Sequence, residues 1–173
     1  MLDRTELHAW LRLLHTPGVG RQSARRLLTA FGHPHGVLGA SIAAVREVIG
    51  ASAAQAWSKQ PDDLPGLIAN TEAWLAGALA SSSHESAMAA AENTQRGILF
   101  LGDADYPELL LQTADPPLML YLHGNRSLLS QRLIAIVGSR NPSAQGSENA
   151  LAFARHLSRA GLCVVSGFAL GID

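Results

Sequence analysis

Apolar residues recur at helical spacing through the first third of the chain. Leu7, Trp10, Leu11 and Leu14 share one face of a helix that opens at Asp3-Arg4-Thr5-Glu6, a capping-box sequence. Thr16-Pro17-Gly18-Val19-Gly20 breaks that helix. A second one turns Ala24, Leu27, Leu28 and Phe31 inward and stops at Gly32. Ser41 to Gly50 and Ser52 to Trp57 predict two short helices, with Ile42, Val45, Val48, Ile49 and Trp57 as core. Pro61-Asp62-Asp63 is a turn, and residues 64–80 are helical by content, with Leu67, Ile68, Trp74, Leu75 and Leu79. Tryptophans at this spacing belong to a core rather than to a ligand platform. Ser81-Ser82-Ser83 interrupts, and His84 to Arg96 predicts an Ala-rich helix of low hydrophobicity.

From Gly97 the period changes. Ile98 to Leu101 predicts a strand and Pro107 to Gln112 a short helix. Pro116-Pro117 cannot sit in a central strand, so the next strand starts at Leu118 and runs to Leu122, ahead of a turn at Gly124-Asn125. Leu133 to Val137 is a β-branched run that reads as a buried strand. Gly138-Ser139-Arg140 and the turn cluster Asn141-Pro142-Ser143 follow, with Ser143 as helix N-cap. Ala150, Leu151, Ala154 and Leu157 mark a helix that ends at Gly161, and Leu162 to Val165 is a further strand. Strand, tight loop, helix and parallel strand make one βαβ unit.

The loop of that unit is where chemistry belongs. A helix N-terminus offers unpaired N–H groups and the positive end of a dipole, and Arg140 adds a fork of donors matched to phosphate oxygens. Gly138 and Gly146 do not form a G-x-G-x-x-G or G-K-[ST] signature, so the dinucleotide and nucleoside-triphosphate fingerprints are absent. A generic βα turn with Arg140 merely at the surface also fits the tripeptide. The first two helices, joined by Pro-Gly-Val-Gly, look like a helix-hairpin-helix. Gly18, Val19 and Gly20 could bring backbone N–H groups to a DNA phosphate, with Arg21, Arg25 and Arg26 on a phosphate-tracking face. The same glycines equally serve a hairpin that only packs two helices.

Composition narrows the function classes. The 173 residues are 47% hydrophobic, enough for one full domain or two small ones. The net charge of −1 gives no global basic field. Residues 1–33 carry five arginines against Asp3 and Glu6, whereas residues 61–110 carry eight acids against Arg96. Lys59 is the sole lysine, an arginine bias that suits phosphate contact and also suits a GC-rich genome. The single cysteine, Cys163, lies in a strand run and reads as a small core residue, which excludes an intrachain disulfide or a Cys-based zinc site. The histidines lack metal-ligand spacing, and His33 and His35 flank Pro34 in a predicted loop. No metal, cofactor or catalytic residue is expected. The N-terminus lacks the build of a signal peptide and no apolar run approaches a membrane span, so a cytoplasmic protein is expected.

The ordered series Asp105-Tyr106-Pro107, Leu109-Leu110, Asp115-Pro116-Pro117, Leu120-Tyr121…Gly124, Ala135-Ile136-Val137-Gly138-Ser139-Arg140 and Ser166-Gly167-Phe168-Ala169-Leu170-Gly171-Ile172-Asp173 closely resembles the bacterial DNA-processing protein A family, DprA/Smf. It covers residues 98–173 and is far more specific than any one motif. The resemblance implies an α then α/β chain: a small SAM-like or helix-hairpin-helix domain over 1–80, a linker or insertion over 81–96, and the N-terminal part of an extended Rossmann-like open sheet over 97–173. Four strands of that sheet are expected here, and the family's sheet continues past the SG.A.GID motif. The resemblance further implies single-stranded DNA binding and RecA loading in natural transformation, without enzymatic activity, and a homodimer formed through residues beyond Asp173. By the family's pattern, Gly138, Ser139, Arg140, Ser166 and Gly167 line a phosphate pocket. Some members carry a basic residue where Leu170 stands. Tyr106, Pro107 and Asp115 are expected to pack at the base of the sheet. The rival class is a Rossmann-like nucleotide phosphoribohydrolase, which would need a general acid–base carboxylate beside the pocket, where only Asp173 stands.

Overall fold

Asp3 starts the first helix as its chemistry dictates: its carboxylate accepts the Thr5 N–H at 2.9 Å and caps α1 (Arg4–His15). The computed structural model describes residues 3–77 and 95–173. Contacts divide the chain into two units, Met1–Asn125 and Arg126–Asp173.

In the first unit, α2 (Arg21–Phe31) follows the glycine hairpin and ends at Gly32, whose φ of 83° suits a residue without Cβ. The expected loop around the two histidines is instead α3 (Pro34–Gly39), capped by His33, whose Nδ1 accepts the Gly36 N–H at 3.1 Å. Its six residues are too few to display a period, and what sustains it is Pro34 in the first turn and a fully buried Val37. Two short helices, α4 (Ile42–Ile49) and α5 (Ala51–Trp57), and then α6 (Leu64–Leu75) complete the helical layer. Ile42, expected in the core, is an exposed residue at the start of α4. The helix expected to reach residue 80 ends at Leu75, because Gly77 takes a left-handed φ of 75°. Residues 78–94, including Leu79, the serine run and most of the expected Ala-rich helix, lie outside the described residues. The last two residues of that expected helix, Gln95 and Arg96, are already strand.

Strand β1 (Gln95–Phe100) pairs antiparallel with β2 (Met119–Gly124), Ile98 opposite Tyr121 and Phe100 opposite Met119. Between them lies the short helix α7 (Glu108–Leu111). This hairpin belongs to the helical unit. Ile98, Phe100 and Leu118 join Leu7, Leu11, Leu27, Val45 and Trp57 in one core, and Trp10 stacks on Phe100 with ring centroids 4.8 Å apart and planes 4° from parallel. Packing therefore joins what a division at residues 80–97 would separate.

The Asp-Tyr-Pro and Asp-Pro-Pro motifs also work inside this unit. The Tyr106 ring is buried and its hydroxyl donates to the Pro117 carbonyl at 2.6 Å. Asp103 accepts the Phe100 N–H at 2.8 Å and fixes the turn after β1.

The second unit is the expected βαβ. A 3-10 turn (Arg126–Ser130) leads to β3 (Leu133–Ala135), α8 (Ala144–Arg159) and β4 (Cys163–Val165). Strands β3 and β4 are parallel, with Leu133, Ile134 and Ala135 opposite Cys163, Val164 and Val165. The Ser143 hydroxyl caps α8 by accepting the Gly146 N–H at 3.1 Å. Among the described residues, the four strands form two separate two-stranded sheets rather than a single sheet of four. No residue from 126 to 173 is fully buried, and Cys163, expected in a core, is only half-buried. One helix covers one face of a two-stranded sheet, and a unit this small has too little apolar surface to close around any side chain.

Candidate nucleic-acid interface

Both loops at the carboxyl ends of β3 and β4 fold against each other, and backbone geometry holds them. The Gly138 N–H donates to Asp173 Oδ1 at 3.1 Å, and the Ile172 N–H donates to the Ser139 carbonyl at 3.1 Å. Ser166 Oγ donates to the Ile136 carbonyl at 3.1 Å, tying the start of one loop to the end of the other strand. Ser139 Oγ accepts the Asn141 N–H at 3.1 Å and shapes the turn into α8. This places Gly138, Ser139, Arg140, Ser166 and Gly167 in one small constellation at the strand ends, where open α/β sheets receive ligands.

Glycine is required at two of these positions. A Cβ on Gly138 would lie 2.8 Å from the Ile172 side chain. Gly171 has a φ of 104°, and a Cβ there would fall 2.2 Å from the Ser139 carbonyl oxygen and 2.7 Å from Arg140 Cα. Asp173 and Gly171 were not among the expected site residues, yet they close the constellation. The Gly171-Ile172-Asp173 ending was the available signal.

Arg140 is exposed, and no hydrogen bond or ion pair ties it to another described residue. It stands ahead of the α8 N-terminus, whose first N–H groups lack intrahelical acceptors. The unit carries Arg126, Arg132, Arg140, Arg155 and Arg159 against only Glu148 and Asp173. Asp173, the carboxylate that a hydrolase reading would need, is engaged with the Gly138 N–H. Chemically, the arrangement can take an anion: a free guanidinium, a helix dipole and a local excess of positive charge. Among the described residues, no three His, Cys, Asp or Glu side chains gather to hold a metal ion, and no helix is long and apolar enough to cross a membrane.

The N-terminal hairpin differs. Gly18 takes a φ of 81°, Val19 is buried, its N–H donates to the Thr16 carbonyl at 3.0 Å, and Gly20 caps α2. Arg21 and Arg25 turn to one carboxylate: Arg21 Nη2 lies 2.8 Å from Asp115 Oδ2 and Arg25 Nη2 lies 2.7 Å from Asp115 Oδ1. Arg25 also donates to the Pro116 carbonyl. Arg26 alone of the three is exposed and untied among the described residues. No spacing rule could have paired residues about ninety positions apart.

Comparison with known proteins bears on this arrangement. Residues 97–173 match the family described as DNA recombination-mediator protein A. Protein Smf of Borreliella burgdorferi is 37% identical over 82 residues, 47% of this chain and 26% of that protein. DNA processing protein DprA of Bacillus subtilis is 40% identical over 74 residues, 42% of this chain and 25% of that protein. DprA of Streptococcus pneumoniae is 39% identical over 71 residues, 41% and 25% of the two chains. The chain thus matches about a quarter of the length of these curated relatives. The X-ray structure of the Streptococcus pneumoniae protein superposes with a TM-score of 0.60 at 20% identity, covering 99% of this chain and 51% of that one. The helical-then-α/β, Rossmann-like arrangement is therefore shared. Through residues 97–173, the chain is thus similar to the DNA recombination-mediator protein A family, and over part of its length to the relatives named Smf and DprA.

Proposed function

We propose that this chain binds single-stranded DNA through its phosphodiester backbone, at the loops of Gly138–Arg140 and Ser166–Gly167. The observation that carries the proposal is the exposed, untied Arg140 guanidinium beside the α8 N-terminus, in loops whose approach only glycine permits. The names of the relatives, DNA processing proteins, agree with it. On this reading the chain acts without catalysis, as a DNA-binding part of a protein that loads RecA in natural transformation, with RecA and a second copy as partners. We assign the hairpin at Gly18, Val19 and Gly20 to packing, because Asp115 neutralises Arg21 and Arg25.

Titration of the chain with oligo-dT at several salt concentrations tests the assignment. Arg140→Ala should weaken binding at least tenfold and flatten the salt dependence, since a phosphate contact releases counterions. Arg140→Lys should restore binding only in part, because an ammonium lacks the bidentate fork. Unchanged affinity and salt slope in a folded Arg140→Ala protein would overturn the assignment.

A further inference from the structure

The aromatic residue in the second loop has no role in the phosphate reading, and its conformation is costly. Phe168 has a φ of 59°, and among the described residues it is the one non-glycine with positive φ. A bulky side chain rarely adopts that backbone, and glycine usually takes such a place in a loop. The residue is 83% exposed, between the small residues Gly167 and Ala169. Strained backbone and a solvated ring are both unfavourable, so the free protein gains nothing visible from this residue.

We propose that Phe168 is a platform on which a nucleobase of the bound strand stacks, next to the phosphate held at Arg140. The proposal rests on the phosphate reading of Gly138–Arg140. The loop is pinned on both sides of the ring, by Ser166 Oγ on the Ile136 carbonyl and by the Ile172 N–H on the Ser139 carbonyl. Gly171 lies directly against Arg140 Cα. It stands three positions after Phe168, at most about 11 Å of extended backbone. The backbones that carry the ring and the guanidinium therefore stand within one short stretch of strand.

The surroundings favour a base over another occupant. Asp173 Oδ1 accepts the Gly138 N–H, and the unit carries five arginines against two acids. A negatively charged strand with flat π-faces matches that combination, and stacking on an aromatic ring tolerates any base. Leu170, 86% exposed in the same loop, offers an apolar edge and no charge.

The test uses the whole chain and three variants, Phe168→Ala, Phe168→Leu and Phe168→Trp, with Arg140→Ala alongside. Each is titrated with oligo-dT and with an abasic oligomer of equal length, after circular dichroism has confirmed the fold. Phe168→Ala and Phe168→Leu should weaken oligo-dT binding about 5- to 150-fold. Neither should change binding of the abasic oligomer. Phe168→Trp should bind within a few-fold of wild type, with its indole emission quenched by oligo-dT. Oligo-dT binding by Phe168→Ala within twofold of wild type would overturn the platform, as would an equal loss on the abasic oligomer. Loss of self-association in Phe168→Ala with DNA affinity intact would assign the ring to a contact between copies and overturn it too. Failure of the phosphate reading is seen separately, as an Arg140→Ala protein with unchanged affinity for both oligomers.

Discussion

Replacing Asp115 by Ala removes the carboxylate that faces two arginines from one end of the hairpin. The two pairs differ in their surroundings, and that difference sets the expected magnitude. Arg21 is 61% exposed, so its pair with Asp115 is screened and contributes about 0.2–1 kcal/mol. Arg25 is only 25% exposed. Without Asp115 it keeps the Pro116 carbonyl but loses its counter-charge, a loss of about 1.5–3 kcal/mol for a hydrogen-bonded charged group. Asp115→Ala should therefore destabilise the first unit by about 2–4 kcal/mol, and Asp115→Asn, which keeps the shape without the charge, by somewhat less. Trp10, Trp57 and Trp74 all lie in this unit, so urea unfolding followed by tryptophan fluorescence reports on it alone. Double-mutant cycles separate the two arginines: coupling of Asp115 to Arg25 should exceed its coupling to Arg21. A loss below about 0.5 kcal/mol for Asp115→Ala, the range of ordinary surface substitutions, would refute the clasp. Equal coupling to both arginines would refute the argument from burial.

Other perturbations probe the remaining contacts. Gly171→Ala places a methyl on the Ser139 carbonyl, so the two loops must part; faster amide exchange at Gly138 and Ile172, together with weaker oligo-dT binding, is expected. Tyr106→Phe removes the hydroxyl bonded to Pro117 and should cost about 1 kcal/mol by urea unfolding. Burial raises the Tyr106 pKa above the usual 10.0, against the opposing effect of Arg25. A spectrophotometric titration should find one of the two tyrosines ionising late, and stability from this group should hold below pH 10 and fall as pH rises through its folded value. Glu72 accepts from His8 and pairs with Arg4, which hold its carboxyl below the usual 4.5. Its contribution should be present above that pH and disappear as pH falls through the lowered value, so melting curves of wild type and Glu72→Gln should converge in acid.

Local signals wrote much of this protein into its sequence. The Asp3 cap, the Gly32 stop, the Ser143 cap and the β-branched runs around Ile134 and Val164 each act over a few residues, and their elements appear where the pattern places them. The glycine and arginine of the first loop were legible too, because a strand–turn–helix brings Gly138, Ser139 and Arg140 to one place without help from distant chain. Tertiary structure alone decided the rest. Pairing of β1 with β2 and burial of Phe100 against Trp10 make the hairpin part of the helical unit, a choice that depends on matching apolar surfaces far apart in sequence. Asp115 meets Arg21 and Arg25 only once that packing has closed, which turns apparent DNA-facing arginines into an internal clasp. Asp173 and Gly171 complete the candidate site for the same reason: hydrogen bonds and close backbone contacts between loops about thirty residues apart depend on strand register, and no periodicity encodes that.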